Sequence, residues 1–323
     1  MKLLLLLFVA AIVVLYGTSQ YLARQVAVQY PPKGRFAEVE GVRLHYTDYP
    51  AGENPDFLPV VFIHGASGNL RDQEGIILER LKGRGRLIFL DRPGHGHSSR
   101  GNARDIHLPG GQARILSGLL SSIGVEKAIV VGHSFGGAVA AAFAVNHPGQ
   151  LAGIVFVAPA THPWPGGGVA WYYQLTRMPV IGWLFSELLA VPGGHLRYHD
   201  GVAGVFAPQK IPKAYEERSG TRLVLRPKTF RNNAMDVTSL YDAVSSLSRR
   251  YGEINVPVSI ITGNSDDVVL AEVHSKGLER DIKGARLVWL PGEGHAPAWS
   301  NPQAVISEIE RVSAAAKARM KSE

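Results

Sequence analysis

The central part of the sequence predicts a doubly wound, mostly parallel α/β sheet, and three observations support this fold class. Short apolar runs without polar alternation recur along the chain, as expected for parallel strands that are buried on both faces. Long intervals separate the runs, and one of them shows helical periodicity through Ile115, Leu119 and Ile123. A serine between two glycines stands where one such run meets a helix of small residues. This alternation of strands and helices is typical of an α/β domain.

The predicted strands begin with a hairpin. Residues 42–47 alternate apolar and polar side chains, and residues 36–39 lie across a turn from them. The buried runs that follow occupy residues 60–63, 87–90, 128–131, 154–157, 258–261 and 287–290. A final amphipathic helix is predicted after Asn301, whose side chain caps a helix with Pro302 at its first position.

One interval interrupts this alternation and divides the domain. Residues 161–255 contain no clear strand but hold many aromatic side chains. An interval of about 95 residues is far longer than an ordinary crossover connection. We therefore predict a cap subdomain at residues 161–255, inserted into a core that is formed by residues 36–160 and 256–319.

Residues 1–23 predict a membrane anchor. The stretch from Leu3 to Ala23 carries no charge, and a helix of this length reaches about 30 Å, the thickness of a bilayer's hydrocarbon core. A cleaved signal peptide with export is the alternative, but no good small-residue cleavage site follows the apolar run. An uncleaved single-pass anchor is therefore preferred, with residues 24–35 as a linker. Flanking charges do not decide which membrane face carries the domain.

Composition narrows the classes of function. The chain has no cysteine, which excludes a disulfide scaffold, a thiolate nucleophile and a cysteine-based zinc site. The net charge of +7 comes from scattered lysines and arginines, without the clustered basic patch and stacking aromatic residues that nucleic-acid binding requires. No nucleic-acid partner is predicted, and nothing in the sequence indicates a metal or an organic cofactor.

The glycine-flanked serine is the predicted nucleophile. Gly132, Ser134 and Gly136 form a G-x-S-x-G motif with an apolar strand before it and a small-residue helix after it. In this context the motif presents a serine on a tight turn, and the helix N-terminus behind it favours negative charge at the reacting centre. The alternative is a glycine-rich packing turn with an idle serine.

A serine hydroxyl needs a positioned base, because it is a poor nucleophile at neutral pH. His295 lies in a glycine- and proline-rich loop directly after the last predicted strand, and it is the predicted base. The candidates for the acid that orients this histidine are Asp266 and Asp267, which follow the strand at residues 258–261. Because the two aspartates are adjacent in sequence, only one of them can face the imidazole.

Two further loops complete a family resemblance. His64 and Gly65 follow the first buried strand, and residues 91–98 follow the second. Together with the serine and histidine motifs, these loops resemble the α/β-hydrolase superfamily, in its branch of serine esterases, lipases and cofactor-free haloperoxidases. The resemblance covers residues 36–309. It implies an eight-stranded sheet with an antiparallel second strand, a mobile helical cap, and hydrolysis through an acyl-enzyme.

The resemblance also implies roles for individual residues. The family's Gly-x-x-Asp spacing selects Asp266 over Asp267, and its oxyanion hole is formed by the backbone N–H groups of Ala66 and Phe135. The Phe135 side chain is bulkier than is common at this position and is expected to narrow an acyl pocket. The aspartate and histidines of residues 91–98 could hold a metal, but the resemblance makes this loop a scaffold.

These features predict a serine hydrolase with a Ser134–His295–Asp266 triad, most simply a carboxylic-ester hydrolase. The aromatic cap and the anchor favour an apolar small-molecule substrate. This substrate is expected to be either membrane-associated or a small aromatic compound. Cleavage of a C–C bond, a lactone or an amide by the same triad is the alternative. A non-catalytic, membrane-bound binding module is a third hypothesis, which the intact triad argues against.

Overall fold

A single eight-stranded sheet forms the centre of the computed structural model, which describes residues 1–322. The strands are β1 (Arg35–Val39), β2 (Val42–Tyr49), β3 (Val60–Ile63), β4 (Leu87–Leu90), β5 (Ala128–His133), β6 (Leu151–Val157), β7 (Val258–Gly263) and β8 (Arg286–Leu290). Their order is β1-β2-β4-β3-β5-β6-β7-β8. Strand β2 is antiparallel to both of its neighbours, and the other pairs are parallel. The predicted mostly parallel sheet with an antiparallel second strand is confirmed.

Helices alternate with the strands of the core and make up most of the inserted segment. In chain order they are α1 (Lys2–Gln29), α2 (Leu70–Leu81), α3 (Pro109–Ser122), α4 (Phe135–Asn146), α5 (Trp171–Thr176), α6 (Pro179–Phe185), α7 (Val191–Phe206), α8 (Tyr215–Arg218), α9 (Pro227–Leu247), α10 (Ala271–Asp281), α11 (Pro297–Ser300) and α12 (Pro302–Ser322). A π-helical turn, Ser186–Ala190, joins α6 to α7. Asn301 caps α12 as predicted, because its side chain accepts a hydrogen bond from the Ala304 N–H.

Both faces of the sheet are covered, which explains the unbroken apolar runs in the sequence. Every residue of β3, β4 and β6 is buried. One apolar cluster joins the sheet to α3 and α4, and a second joins the opposite face to α2 and α12. Strands enclosed in this way need apolar residues at consecutive positions. Between β6 and β7, where every residue is described, the chain forms α5 to α9 and no strand, so the inserted helical cap is confirmed.

The N-terminal helix α1 is long and apolar enough to cross a membrane. It extends to Gln29, so residues 24–29 are helical where the sequence predicted a linker. Val26 and Tyr30 form a buried apolar cluster with Leu223 of the cap. The first residues of the predicted linker are thus helical, and their contact with the cap stabilises this part of the helix.

A buried ion pair joins the cap to the core. Asp236 on α9 accepts hydrogen bonds from Arg92 at 2.8 Å and from Arg100 at 2.6 Å, both in the loop after β4. Gln112 on α3 donates a third hydrogen bond to the same carboxylate. Burial lowers the pKa of Arg92 to about 10, and the charge of Asp236 opposes this shift. Each charge therefore depends on the other for its compensation.

Replacing Asp236 with alanine should destabilise the fold strongly. The substitution leaves the Arg92 guanidinium buried without its counter-ion, which should lower the free energy of unfolding by about 3–5 kcal/mol. Asp242→Ala, at an exposed position of the same helix, should change it by less than about 0.5 kcal/mol. Urea denaturation of the detergent-solubilised chain measures both. Equal effects of the two substitutions would contradict the structural role of the ion pair.

A second buried carboxyl lies between α2 and α11, close to the predicted base. The Trp299 indole N–H donates to the carbonyl oxygen of Asp72 at 2.8 Å and to its carboxyl oxygen at 3.1 Å. Burial raises the pKa of Asp72 to about 6, although hydrogen bonds from Trp299 and Tyr215 partly oppose the shift. The fold therefore favours the protonated form of this carboxyl.

Asp72→Asn should stabilise the protein in a pH-dependent way. A raised carboxyl pKa gives the wild type a stabilisation that is complete below about pH 4 and is lost as the pH rises through about 6. An asparagine is neutral throughout, so the variant should gain up to about 3 kcal/mol on the wild type between pH 4 and 7. Denaturant titrations across this range measure the gain. A difference that does not vary with pH would show that Asp72 is not protonated preferentially in the fold.

Candidate active site

Ser134 alone forms the turn between β5 and α4. Its backbone has φ +52° and ψ −120°, a region that L-amino acids rarely adopt. The Ser134 N–H donates to the Val157 carbonyl at 3.0 Å. The Ser134 carbonyl accepts hydrogen bonds from the N–H groups of Gly137 at 2.8 Å and Ala160 at 3.0 Å. The surrounding backbone therefore holds the serine in this conformation.

The turn requires glycines because three backbone segments meet there. A Cβ atom on Gly132 would lie 2.5 Å from the Gly136 carbonyl oxygen, and a Cβ atom on Gly136 would lie 2.3 Å from the Ile63 carbonyl oxygen. A Cβ atom on Gly65, in the loop after β3, would lie 2.9 Å from the Ser134 Cβ. The loop after β3 can therefore approach the serine closely.

His295 and Asp266 are brought together at the same edge of the sheet. His295 lies in the loop after β8, and its Nδ1 is 2.7 Å from the Asp266 Oδ2. The carboxylate also accepts hydrogen bonds from the N–H groups of Val268 and Val269, each at 2.9 Å. Both members of the pair are buried, whereas Asp267 is exposed. Of the two candidate acids, only Asp266 is hydrogen-bonded to the histidine.

Opposing effects act on the Asp266 carboxyl. Burial alone would raise its pKa, but the positive charge and hydrogen bond of His295, with the two backbone N–H groups, outweigh burial and hold the pKa below its ordinary value. Asp266 is therefore ionised at neutral pH. An ionised acid accepts a hydrogen bond from the Nδ1–H group and so fixes the tautomer in which the His295 Nε2 is free to accept a proton.

His133 connects the serine turn to the histidine loop. Its Nε2 donates to the His295 carbonyl at 2.9 Å, and the two imidazole rings are 5.0 Å apart. Burial, followed by the charge of His295, lowers the pKa of His133 to about 4. Within residues 1–322 no hydrogen bond joins the Ser134 Oγ to the His295 imidazole, whose Nδ1 bonds to Asp266. Hydrogen bonds between catalytic groups are often long or poorly aligned before substrate binds.

The predicted oxyanion-hole residues flank the serine. Ala66 lies in the loop after β3, and Phe135 is the first residue of α4. Within the described part of the chain, neither N–H group donates to a backbone carbonyl or side chain. The Phe135 ring is only 1% exposed and lies 4.4 Å from the Arg92 guanidinium. The expectation that this ring narrows an acyl pocket is therefore wrong, because the side chain points into the core.

Arg92 also fixes the loop after β3, a role that the sequence did not reveal. Its guanidinium donates to the carbonyl oxygens of His64 and Gly65, each at 3.1 Å. The Arg92 N–H donates to the His64 Nε2 at 2.9 Å, and the His64 Nδ1 donates to the Gly65 carbonyl at 2.8 Å. Burial holds the pKa of His64 well below its ordinary value. His64 is thus a neutral residue that stabilises the turn.

The loop at residues 91–98 has a structural role, as the resemblance to the α/β-hydrolase superfamily implied. Asp91 accepts hydrogen bonds from the His45 Nδ1 at 2.6 Å and from the backbone N–H groups of Leu70 and His97, each at 2.7 Å. Its carboxylate therefore joins β2, the start of α2 and its own loop.

Two contacts from the cap reach the candidate site, and neither had a signal in the sequence. Asn233 on α9 accepts a hydrogen bond from the Ser67 N–H at 2.7 Å, next to Ala66. The Asn233 amide also donates to the Tyr173 hydroxyl at 3.2 Å. On the other side, the His295 N–H donates to the Val205 carbonyl at 3.1 Å. The cap is thus bonded to both loops that flank Ser134.

Comparison with known proteins is consistent with this arrangement. The chain is 29% identical over 260 residues to a 2-hydroxy-6-oxononadienedioate/2-hydroxy-6-oxononatrienedioate hydrolase from Paraburkholderia phymatum, covering 77% of this chain and 80% of that protein. It is 25% identical over 281 residues to Lipase 3 from a Moraxella species, covering 84% of each. A thermophilic esterase from Thermogutta terrifontis shares the fold with a TM-score of 0.68 and 21% identity, over 87% of this chain and 100% of the esterase.

The family model for the alpha/beta hydrolase fold matches residues 59–302. This match spans most of the chain and contains the serine turn, the cap and the His295 loop. Together with the fold and the hydrolases among its relatives, it identifies the chain as a member of the α/β-hydrolase family and as a hydrolase.

Proposed function

We propose that the protein is a serine hydrolase in which Ser134 is the nucleophile, His295 the general base and Asp266 the acid that orients the base. The observation that carries the proposal is the strained turn at Ser134, which lies at the same sheet edge as the buried His295–Asp266 pair. Strained backbone of this kind persists where the surroundings over-determine it, as at active sites.

The reaction follows from the groups present. The Ser134 Oγ attacks the substrate carbonyl carbon while the His295 Nε2 accepts the hydroxyl proton, and the carbonyl oxygen becomes an oxyanion. The N–H groups of Ala66 and Phe135 donate to this oxyanion. Its collapse expels the leaving group, which takes the proton from His295, and leaves an acyl-enzyme. Water then attacks the acyl carbon while the His295 Nε2 takes its proton. The bond from the acyl carbon to the Ser134 Oγ breaks, the acid is released, and the Oγ recovers the proton from His295.

A carboxylic ester with an apolar acyl part is the proposed substrate class. Two properties support it: the cap carries many exposed apolar side chains, and the relative from Moraxella is named a lipase. The relative from Paraburkholderia is named a hydrolase of a 2-hydroxy-6-oxo-dienedioate, which keeps C–C bond cleavage as the second candidate. Lactones and amides would use the same triad.

We also propose that α1 is retained as a single-pass membrane anchor. Its C-terminal half packs on the cap through Val26 and Tyr30, and Gln20 donates to Glu187 at 2.8 Å. Removal of a signal peptide that ends at Ala23 would leave Val26 and Tyr30 in place, but it would remove Gln20 and the buried Ser19 from the cap surface. Contact with the folded domain therefore favours a helix that remains in the mature protein.

Covalent labelling tests the nucleophile directly. The detergent-solubilised full chain is treated with a fluorophosphonate probe, beside Ser134→Ala and the control Ser307→Ala, an exposed serine on α12. Short and long p-nitrophenyl esters are assayed in parallel. Ser134→Ala should abolish labelling and lower ester turnover by about 10⁴-fold or more, whereas Ser307→Ala should behave as the wild type.

Other outcomes separate the alternatives. Labelling without ester turnover would retain the nucleophile and move the substrate assignment to lactones, amides or C–C bonds. Absence of labelling in a chain that unfolds cooperatively would overturn the serine-hydrolase proposal.

His133 should act as a positioning residue for the base. Its hydrogen bond to the His295 carbonyl fixes the backbone of the base, so His133→Phe should lower kcat roughly tenfold with little change in KM. His133→Gln retains a donor and should recover much of the loss. Steady-state kinetics on a short ester distinguish the two variants. Equal losses would show that the hydrogen bond has no part in positioning His295.

A further inference from the structure

The cap has an apolar surface that continues the apolar surface of α1. Most large apolar side chains that are exposed outside α1 belong to the cap, and we call one group of them the cap apolar surface. Its members are Trp171, Met178, Val180, Ile181, Trp183, Leu184, Leu189 and Leu196. Within the described residues outside the cap and residues 1–29, only Val268, Leu270 and Met320 are exposed in this way. A concentration of this kind marks an interaction site.

The part of this surface that precedes Glu187 is also nearly free of charge. Residues 163–186 carry one charged side chain, Arg177. The next charged residue, Glu187, is paired with Arg231 at 2.9 Å and accepts a hydrogen bond from Gln20 of α1 at 2.8 Å. A surface that faced water would not be expected to lack charges over this length.

The length of α1 indicates what covers this surface. An uncharged stretch from Leu3 to Ala23 fits a hydrocarbon core of about 30 Å. Only its first part, residues 3–11, is free of the cap, because partial burial of α1 begins at Ile12. This free part is about 14 Å long, which is half of the required thickness. The remaining half lies beside the cap.

A shallower position of α1 is unfavourable. If only residues 3–11 entered the membrane, the amino terminus and Lys2 would lie near the bilayer centre, where charged groups are costly. If both charges reach the far headgroups, Arg24 lies at the near headgroups and residues 12–23 lie within the hydrocarbon. The cap segment Ser186–Ala190, which Glu187 joins to Gln20 by a hydrogen bond, is then at membrane depth.

We propose that the cap is inserted into the bilayer that α1 crosses, with the cap apolar surface in contact with lipid acyl chains. This inference rests on the anchor and the ester-hydrolase activity proposed above. It assigns the substrate to esters dissolved in that bilayer, because one short helix carries both a residue of this surface and a residue that contacts the loop beside Ser134. On helix α5, Trp171 is 70% exposed, and Tyr173 two residues later contacts the Ser67 side chain at 3.3 Å.

Tryptophan quenching tests the insertion of the cap. The full chain is reconstituted into vesicles of phosphatidylcholine and phosphatidylglycerol, with or without bromine on the acyl chains. The wild type should be quenched by the brominated lipid, and the double variant Trp171→Phe/Trp183→Phe should lose most of this quenching. The control Trp289→Phe, on β8, should retain it. Equal quenching of all three proteins would overturn the proposal.

A charge variant tests the assignment of the substrate. Ile181→Asp places a carboxylate on the cap apolar surface, and Met320→Asp places one at a similarly exposed position of α12. Ile181→Asp should lower hydrolysis of a long-chain ester in vesicles at least about tenfold, because carboxylates are excluded from hydrocarbon. Turnover of a short soluble ester in detergent should stay within about twofold of the wild type. Met320→Asp should change neither activity. Equal behaviour of the two variants would contradict the proposal.

The same samples separate this proposal from those on which it rests. Vesicle flotation after a high-salt wash reports the anchor, and fluorophosphonate labelling reports the nucleophile. A chain that floats and is labelled, but shows neither cap quenching nor an effect of Ile181→Asp, would overturn cap insertion alone. A chain that does not float would overturn the anchor, and cap insertion with it.

Discussion

The strained backbone at Ser134 is the constraint on which the geometry of the site depends. A residue held in such a conformation costs about 1–3 kcal/mol and relaxes unless its neighbours prevent it. Here the carbonyl of β6 residue Val157 accepts the serine N–H, while α4 begins at the next residue. Both elements are buried in the core, so neither can shift without disturbing the sheet. The serine is therefore held at the sheet edge by the same packing that stabilises the fold.

The cap is a support for this site as well as a cover. Asn233 bonds to the loop that carries Ala66, and the Val205 carbonyl bonds to His295. Helix α9 is in turn fixed to the core through Asp236. A rigid displacement of the whole cap would break hydrogen bonds on both sides of Ser134 and expose a buried ion pair. Such a displacement is therefore incompatible with an intact site.

The sequence predicted those features that leave a local signature. Strands buried on both faces appear as apolar runs, so β3 and β4 were predicted to the residue. The serine turn could be recognised from the sequence because Gly132 and Gly136 lie two residues on either side of Ser134. The pairs that hold the cap have no such signature: Arg92 and Asp236 are separated by 144 residues, and Ser67 and Asn233 by 166. The contact of Val26 and Tyr30 with Leu223, where α1 continues beyond residue 23, has no local signature either.

As the membrane anchor proposed above, α1 would do more than a flexible tether, because it packs on the cap. A tether restricts the distance between a domain and a membrane but leaves its orientation free. A helix that continues without interruption into a buried contact at Val26 and Tyr30 transmits its own tilt to the cap. The hydrogen bond between Gln20 and Glu187 adds a second fixed point along the helix. Because the cap is bonded to both loops beside Ser134, the direction in which the site opens is set by the direction of α1.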